Sequence, residues 1–164
     1  MTEVSLRPTG RADLGFVTAL ERSRENRDLI GQWTDDEHVG AIEGRGGREH
    51  WIIERDGRPA GYLIAYDGRH ERAGVYLKRI LVEGKERGTG SEALRQLVEK
   101  VRARDGVASL WLIVRSDNGR AQHVYRKLGF ERIEPRGEEG ARYDRGGEPP
   151  GEGCFRMELT IRAC

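Results

Sequence analysis

The stretch Val75 to Leu97, VYLKRILVEGKERGTGSEALRQL, constrains this chain more than any other. It reads as strand, glycine-bearing loop and helix. Tyr76, Lys78, Ile80 and Val82 alternate with Val75, Leu77, Arg79 and Leu81, and the run is rich in β-branched and aromatic residues. Lys85-Glu86-Arg87-Gly88-Thr89-Gly90 follows. Ser91 then opens a helix whose Ala93, Leu94, Leu97, Val98 and Val101 share one stripe. A glycine loop entering a helix offers free backbone N–H groups at the positive end of a dipole, which suits an anion. Gly88 and Gly90 let the backbone approach a phosphate closely, and Lys85 and Arg87 add charge.

Two common phosphate motifs fail here. A Walker loop needs four residues between its first Gly and a closing Gly-Lys-Ser/Thr, and none occurs. Gly88-Thr89-Gly90-Ser91-Glu92-Ala93 matches the dinucleotide pattern G-x-G-x-x-A in letters only. That fingerprint follows its strand at once, with an acid ending the next strand about 20 residues on. Here the strand ends near Val82 and Asp105 falls at a helix end. With 23 glycines in the chain, a plain turn would also explain the loop taken alone.

A second segment narrows the reading. Asn118-Gly119-Arg120-Ala121 and Val124-Tyr125-Arg126-Lys127-Leu128-Gly129-Phe130 follow the apolar run Ser109 to Arg115. With these two segments at this spacing, the chain resembles the GNAT family of acetyl-CoA-dependent N-acetyltransferases. The loop is similar to that family's Q/R-x-x-G-x-G/A signature, with Lys85 where Gln or Arg is usual. NGRAQHVYRKLGF is similar to its N-x-x-A…Y-x-x-x-GF segment. GTGSEALRQL is most similar to the branch that includes ribosomal-protein and small-molecule acetyltransferases. The resemblance is strong over 75–131 and looser over 3–70.

At 164 residues the chain reads as one domain with room for a core. Net charge is +1, so no global field argues for nucleic acid or a membrane as partner. No apolar run reaches membrane-spanning length and MTEVSLRP is not a signal peptide, so a cytoplasmic setting is expected. Cys154 and Cys164 make no metal spacing and read as free thiols.

In order, Val4 to Pro8 reads as a strand and Ala12 to Arg24 as an amphipathic helix, with Leu14, Val17, Ala19 and Leu20 inward. Asn26 to Trp33 reads as a short helical piece. Thr34-Asp35-Asp36-Glu37 is a capping box for a helix that ends at Gly44. His50 to Arg55 and Pro59 to Tyr66 are strands joined by the tight turn Asp56-Gly57. The run Ser109 to Val114 is apolar throughout, as for a strand buried on both faces after a helical crossover. Helix Gly119 to Leu128 stops at Gly129, strands begin at Phe130 and Phe155, and 135–153 is a Gly- and Pro-rich charged loop.

The resemblance implies an α/β fold (α+β by some schemes). Its mixed, mostly antiparallel sheet has six to seven strands, with helices on both faces and a splay between the two central strands. It divides the single domain into an acceptor side (3–70), an acetyl-CoA core (73–131), the loop 135–153 and a closing strand (154–162). It places the pyrophosphate on Lys85, Glu86, Arg87, Gly88, Thr89, Gly90 and Ser91. The pantetheine arm would run along Arg79, Ile80 and Leu81, with a backbone N–H near Ile80 polarising the thioester carbonyl. Glu92 sits awkwardly for a phosphate unless it points away.

Asn118 is the family's contact to the cofactor arm, the cap of its own helix, or both at once. Tyr125 is either the acid that protonates the departing thiolate or a packing residue beside Leu128 and Ala121. No Glu stands where many of these enzymes carry a base. Asp67, Glu71, Asp35, Asp36, His38 and water remain candidates, the plain alternative being that Asp35 and Asp36 cap a helix and His38 lies on the surface. Trp33, Asn26 and Tyr76 are candidates to line the acceptor pocket.

The expected reaction moves acetyl from acetyl-CoA directly to a primary amine of a small molecule or peptide, with no metal. No Cys near the signatures supports a covalent intermediate. A CoA-binding module without turnover is the alternative, and a homodimer is left open.

Overall fold

The protein is described by a computed structural model over residues 2–28, 30–68, 74–84, 88–133 and 153–162. Glu71, Lys85, Glu86, Arg87, Cys164 and nearly all of the 135–153 loop lie outside the described residues. Among the described residues seven strands form one sheet: β1 (Val4–Pro8), β2 (Arg48–Arg55), β3 (Arg58–Gly68), β4 (Gly74–Val82), β5 (Ser109–Arg115), β6 (Glu131–Ile133) and β7 (Cys154–Thr160). Four helices are α1 (Leu14–Glu21), α2 (Asp35–Ile42), α3 (Thr89–Arg102) and α4 (Gly119–Lys127). The sheet order is β1-β2-β3-β4-β5-β7-β6.

Local chemistry explains most of this. Asp56 (φ 52°) and Gly57 (φ 78°) both take left-handed backbone, the tight turn that pairs β2 with β3 antiparallel. The Thr34 capping box forms: the Glu37 N–H donates to Thr34 Oγ1 at 3.2 Å, and the Thr34 N–H to Glu37 Oε2 at 2.7 Å. The α3 crossover makes β4 and β5 the parallel pair, while the other neighbours are antiparallel. Gly61 allows a close approach of β3 to β4, since a Cβ there would lie 2.2 Å from the Leu81 carbonyl oxygen.

The sheet separates two cores. Under α3 and α4 lie Leu94, Leu97, Val101, Leu110, Leu112 and Phe130, with Val75 and Leu77 from β4. Under α1 and α2 lie Val17, Leu20, Ile52, Tyr62 and Ile64, with Tyr76 and Leu81 from β4.

Four expectations need correction. Strict alternation along β4 fails because Lys78 is the extra residue of a bulge, Ile64 opposing Arg79 while Ala65 opposes Leu77. The bulge turns Arg79 to the face of Tyr76 and Leu81 instead of that of Leu77. Ala19 is exposed, and Glu21 takes the inward position after Val17 and Leu20. Residues 22–28 form turns and bends, not a helix. Finally, α3 starts at Thr89 rather than Ser91, because Gly88 adopts φ 74° and caps it there.

Candidate active site

The two central strands part company early. Gly74 to Tyr76 pair with Ser109 to Trp111, and the β4–β5 register ends there. Beyond that point β4 keeps β3 on one side as far as Val82, and among the described residues no strand pairs with its other side. A strand edge without a partner presents N–H and C=O groups to any extended amide chain that lies beside it. The gap is a cleft of about 240 Å³. Its floor is Leu77 to Ile80, including the bulge. Ile30 and Gly31 form one wall, and Leu112, Ile113 and Tyr125 the other.

Tyr125 reaches this cleft from α4. Its ring packs against Phe130 at 5.8 Å, and its carbonyl accepts the Phe130 N–H at 3.1 Å. Burial pushes its phenol up to about 12. Its hydroxyl makes no hydrogen bond among the described residues, so it is free to donate into the cleft. Asn118 caps α4, its Oδ1 accepting the Ala121 N–H at 3.2 Å.

The start of α3 lies beyond Val82 at the end of β4. Its first helical bond is Glu92 N–H to the Gly88 carbonyl at 3.1 Å, so the amides of Thr89, Gly90 and Ser91 have no acceptor within the helix. Thr89 is 3% exposed, and its Oγ1 is buried without a hydrogen-bond partner. A hydroxyl and three amides without a partner among the described residues suit an anionic ligand with several acceptor oxygens. Glu92 does not interfere. Its carboxylate is held by Arg95 at 2.6 and 2.9 Å and by Gln96 at 3.2 Å, and Arg95 keeps it below the ordinary range.

On the opposite wall the structure shows a cluster that sequence reasoning missed. The Glu21 carboxylate is 1% exposed. It accepts from Arg79 Nη1 (2.7 Å), Tyr62 Oη (2.8 Å), His38 Nε2 (2.8 Å) and the Trp33 N–H (2.5 Å). Burial alone would raise its pKa. The donors from His38, Trp33 and Tyr62 more than offset that and hold it below the ordinary glutamate value. The network continues from His38 Nδ1 to His50 Nε2 (3.2 Å) and from His50 Nδ1 to Thr9 Oγ1 (2.8 Å). Burial, then the neighbouring His38, lowers His50 to about 3.

None of the described candidate bases lines the cleft. His38 is fully buried, not on the surface. Asp35 and Asp36 are exposed in the first turn of α2, as the capping reading has them. Asp67 lines a separate hollow with Gly47, Arg48 and Arg104. Asn26 does not line an acceptor pocket, because its amide is buried and donates to the Leu20 carbonyl at 3.0 Å. Arg79 sends its side chain to Glu21 and to the Gly31 carbonyl, while its backbone stays at the cleft floor. The described residues contain no group of His, Cys, Asp and Glu that could hold a metal. Among the described residues no helix is long and apolar enough to cross a membrane.

The sequence model of the acetyltransferase (GNAT) family matches residues 16–130. Spermidine N(1)-acetyltransferase of Escherichia coli (strain K12) is 28% identical over 138 residues, 77% of this chain and 72% of that protein. Among solved structures, the ribosomal-protein-S18-alanine N-acetyltransferase of Escherichia coli superposes with a TM-score of 0.71 at 22% identity. That match covers 99% of this chain and 96% of the other. Spermidine N-acetyltransferase of Vibrio cholerae, in complex with CoA and spermine, gives a TM-score of 0.74 at 15% identity, with 96% and 95% covered. These two structural likenesses are of fold.

Proposed function

The chain belongs to the acetyltransferase (GNAT) family and is an acetyl-CoA-dependent N-acetyltransferase, and we propose that its β4–β5 cleft is where the acetyl group is transferred. The observation that carries this reading is the edge of β4, unpaired past Tyr76 among the described residues, lining one cleft with Tyr125. The acyl donor supplies an activated thioester. The free amides of Thr89, Gly90 and Ser91, with the Thr89 hydroxyl, are suited to its phosphates. Lys85, Glu86, Arg87 and Gly88 complete that loop in the proposal. Arg79, Ile80 and Leu81 offer backbone groups to its amide arm. Asn118 caps α4, and in the proposal it contacts the arm as well.

The amine nitrogen attacks the thioester carbonyl, a C–N bond forms and the C–S bond breaks. A backbone N–H of the bulged segment stabilises the carbonyl oxygen as it gains charge. Tyr125, protonated at any working pH, donates to the departing sulfur and recovers its proton from solvent. No carboxylate is among the described residues that line the cleft, whereas Lys78 is, and the Arg79 charge is already matched by Glu21. That surrounding favours an amine that arrives neutral, so water carries off its second proton.

The acceptor is a primary amine of a small molecule or of a peptide N-terminus, in a cytoplasmic setting. The test is free-thiol release from acetyl-CoA with spermidine, amino acid amides and peptide N-termini. Release with at least one amine is expected. Tight acetyl-CoA binding with no release on any of them would contradict the reading.

A further inference from the structure

We propose that Arg79 and Glu21 are positioning residues for the amine acceptor, joining the floor of the cleft to its acceptor-side wall; this rests on the reading of the cleft as the transfer site. The geometry begins with the β4 bulge. One extra residue at Lys78 rotates Arg79 onto the α1–α2 face, where its guanidinium forks. One arm donates to Glu21 at 2.7 Å, and the other donates to the carbonyl of Gly31. Ile30 and Gly31 are themselves wall residues of the cleft. Arg79 therefore ties the connection between α1 and α2 directly to the strand that floors the site.

Glu21 holds the other end. Its four donors come from β4, β3, α2 and the α1–α2 connection, so one carboxylate from α1 gathers five segments. A carboxylate only accepts, so His38 Nε2 carries a hydrogen. His38 Nδ1 in turn meets His50 Nε2, and His50 Nδ1 meets Thr9 Oγ1. The buried charges, Glu21 and Arg79, cancel as a pair at 2.7 Å. A carboxylate so engaged and 1% exposed is not available to deprotonate an amine. Its work is geometric. Arginine suits the place because a planar fork reaches two acceptors at once, which an ammonium does with less directional control.

The test compares Arg79→Met and Arg79→Lys with the native enzyme. Backbone amide exchange over 22–34 is read first, on the protein without substrates. KM for the amine and Kd for acetyl-CoA follow. R79M is expected to speed exchange over 30–34 and raise the amine KM by about 10-fold, with acetyl-CoA Kd within about two-fold. R79K is expected to fall between. Unchanged exchange in R79M would overturn the tie. Amine and acetyl-CoA affinity falling together would overturn the acceptor role.

If R79M does not fold, R79K carries the test, since it keeps a charge beside Glu21 but not the fork. Faster exchange and a raised amine KM are then expected, and native values for both would overturn the proposal. Because exchange is read without substrate, it is independent of turnover. Absence of turnover by the native enzyme on every amine would count against the transfer reading instead.

Discussion

The two walls of the cleft are built on opposite principles. The wall from α3 and α4 is apolar inside, and its polar work falls to backbone amides, one threonine and one tyrosine. The wall from α1 and α2 is organised around a buried carboxylate with charged and aromatic partners. A phosphate-bearing arm can be met by main-chain groups that any sequence supplies once the loop and helix are in place. A wall that sets where an amine sits needs side chains of fixed direction. A buried ion pair contributes little net stability over apolar packing, but breaking one half of it costs much. The α1–α2 wall is therefore the more fragile of the two.

That asymmetry is open to measurement. Glu21→Ala should have the largest effect, since it leaves the Arg79 guanidinium buried without its partner; about 3–5 kcal/mol of unfolding free energy should be lost in a denaturant titration. A loss below about 1 kcal/mol would mean that solvent reaches the cluster and that the contrast between the walls is wrong. Tyr125→Phe should act on the other wall without touching stability, because the hydroxyl has no partner to lose. Steady-state kinetics should show kcat lower by about 10²-fold, and melting should be unchanged. An unchanged kcat would remove Tyr125 from the chemistry.

Acid should find the α1–α2 wall first. The unfolded His50 takes a proton near its ordinary 6.5, whereas the folded one stays neutral down to about 3. Between those values the unfolded chain binds more protons, so stability falls as pH falls. At pH 5 the loss from this site is about 2 kcal/mol. The depressed Glu21 acts in the same direction below its ordinary 4.5. Denaturation curves from pH 7 to 5 should show the slope in the native protein and a reduced one in His50→Leu. Equal slopes would place the acid sensitivity elsewhere.

The smallest effect is expected at Thr89→Val. It removes an orphaned hydroxyl, so stability should hold or rise slightly, while acetyl-CoA Kd measured calorimetrically should rise by about 5-fold. Unchanged affinity would detach Thr89 from the phosphates.

The α3–α4 wall was legible because its information is local. The strand, the glycine entry, the helix stripe from Ala93 to Val101 and the Tyr125 segment each declare themselves within a few residues. Even so, the start of α3 was misplaced by two residues, since the left-handed Gly88 outweighs Ser91 as a cap. The bulge at Lys78 was invisible, because an inserted residue is defined by the facing strand and not by the run that contains it.

The Glu21 cluster was illegible for the same reason on a larger scale. Thr9, Glu21, His38, His50, Tyr62 and Arg79 come from six elements or connections, and no spacing links them. One signal was available. Val17, Leu20 and Glu21 stand at i, i+3 and i+4, so an acid occupied the inward stripe of α1, and such an acid needs buried donors. Nothing local marks His38 as buried, because α2 is short and polar, with three exposed acids before it.

The most direct test of the account is a crystal structure with CoA. The amide arm is expected beside Leu77 to Leu81 and the phosphates on the amides of Thr89 to Ser91. The sulfur should then be within hydrogen-bond reach of the Tyr125 hydroxyl. CoA bound away from the open edge of β4, for example in the hollow lined by Gly47, Arg48 and Arg104, would contradict it.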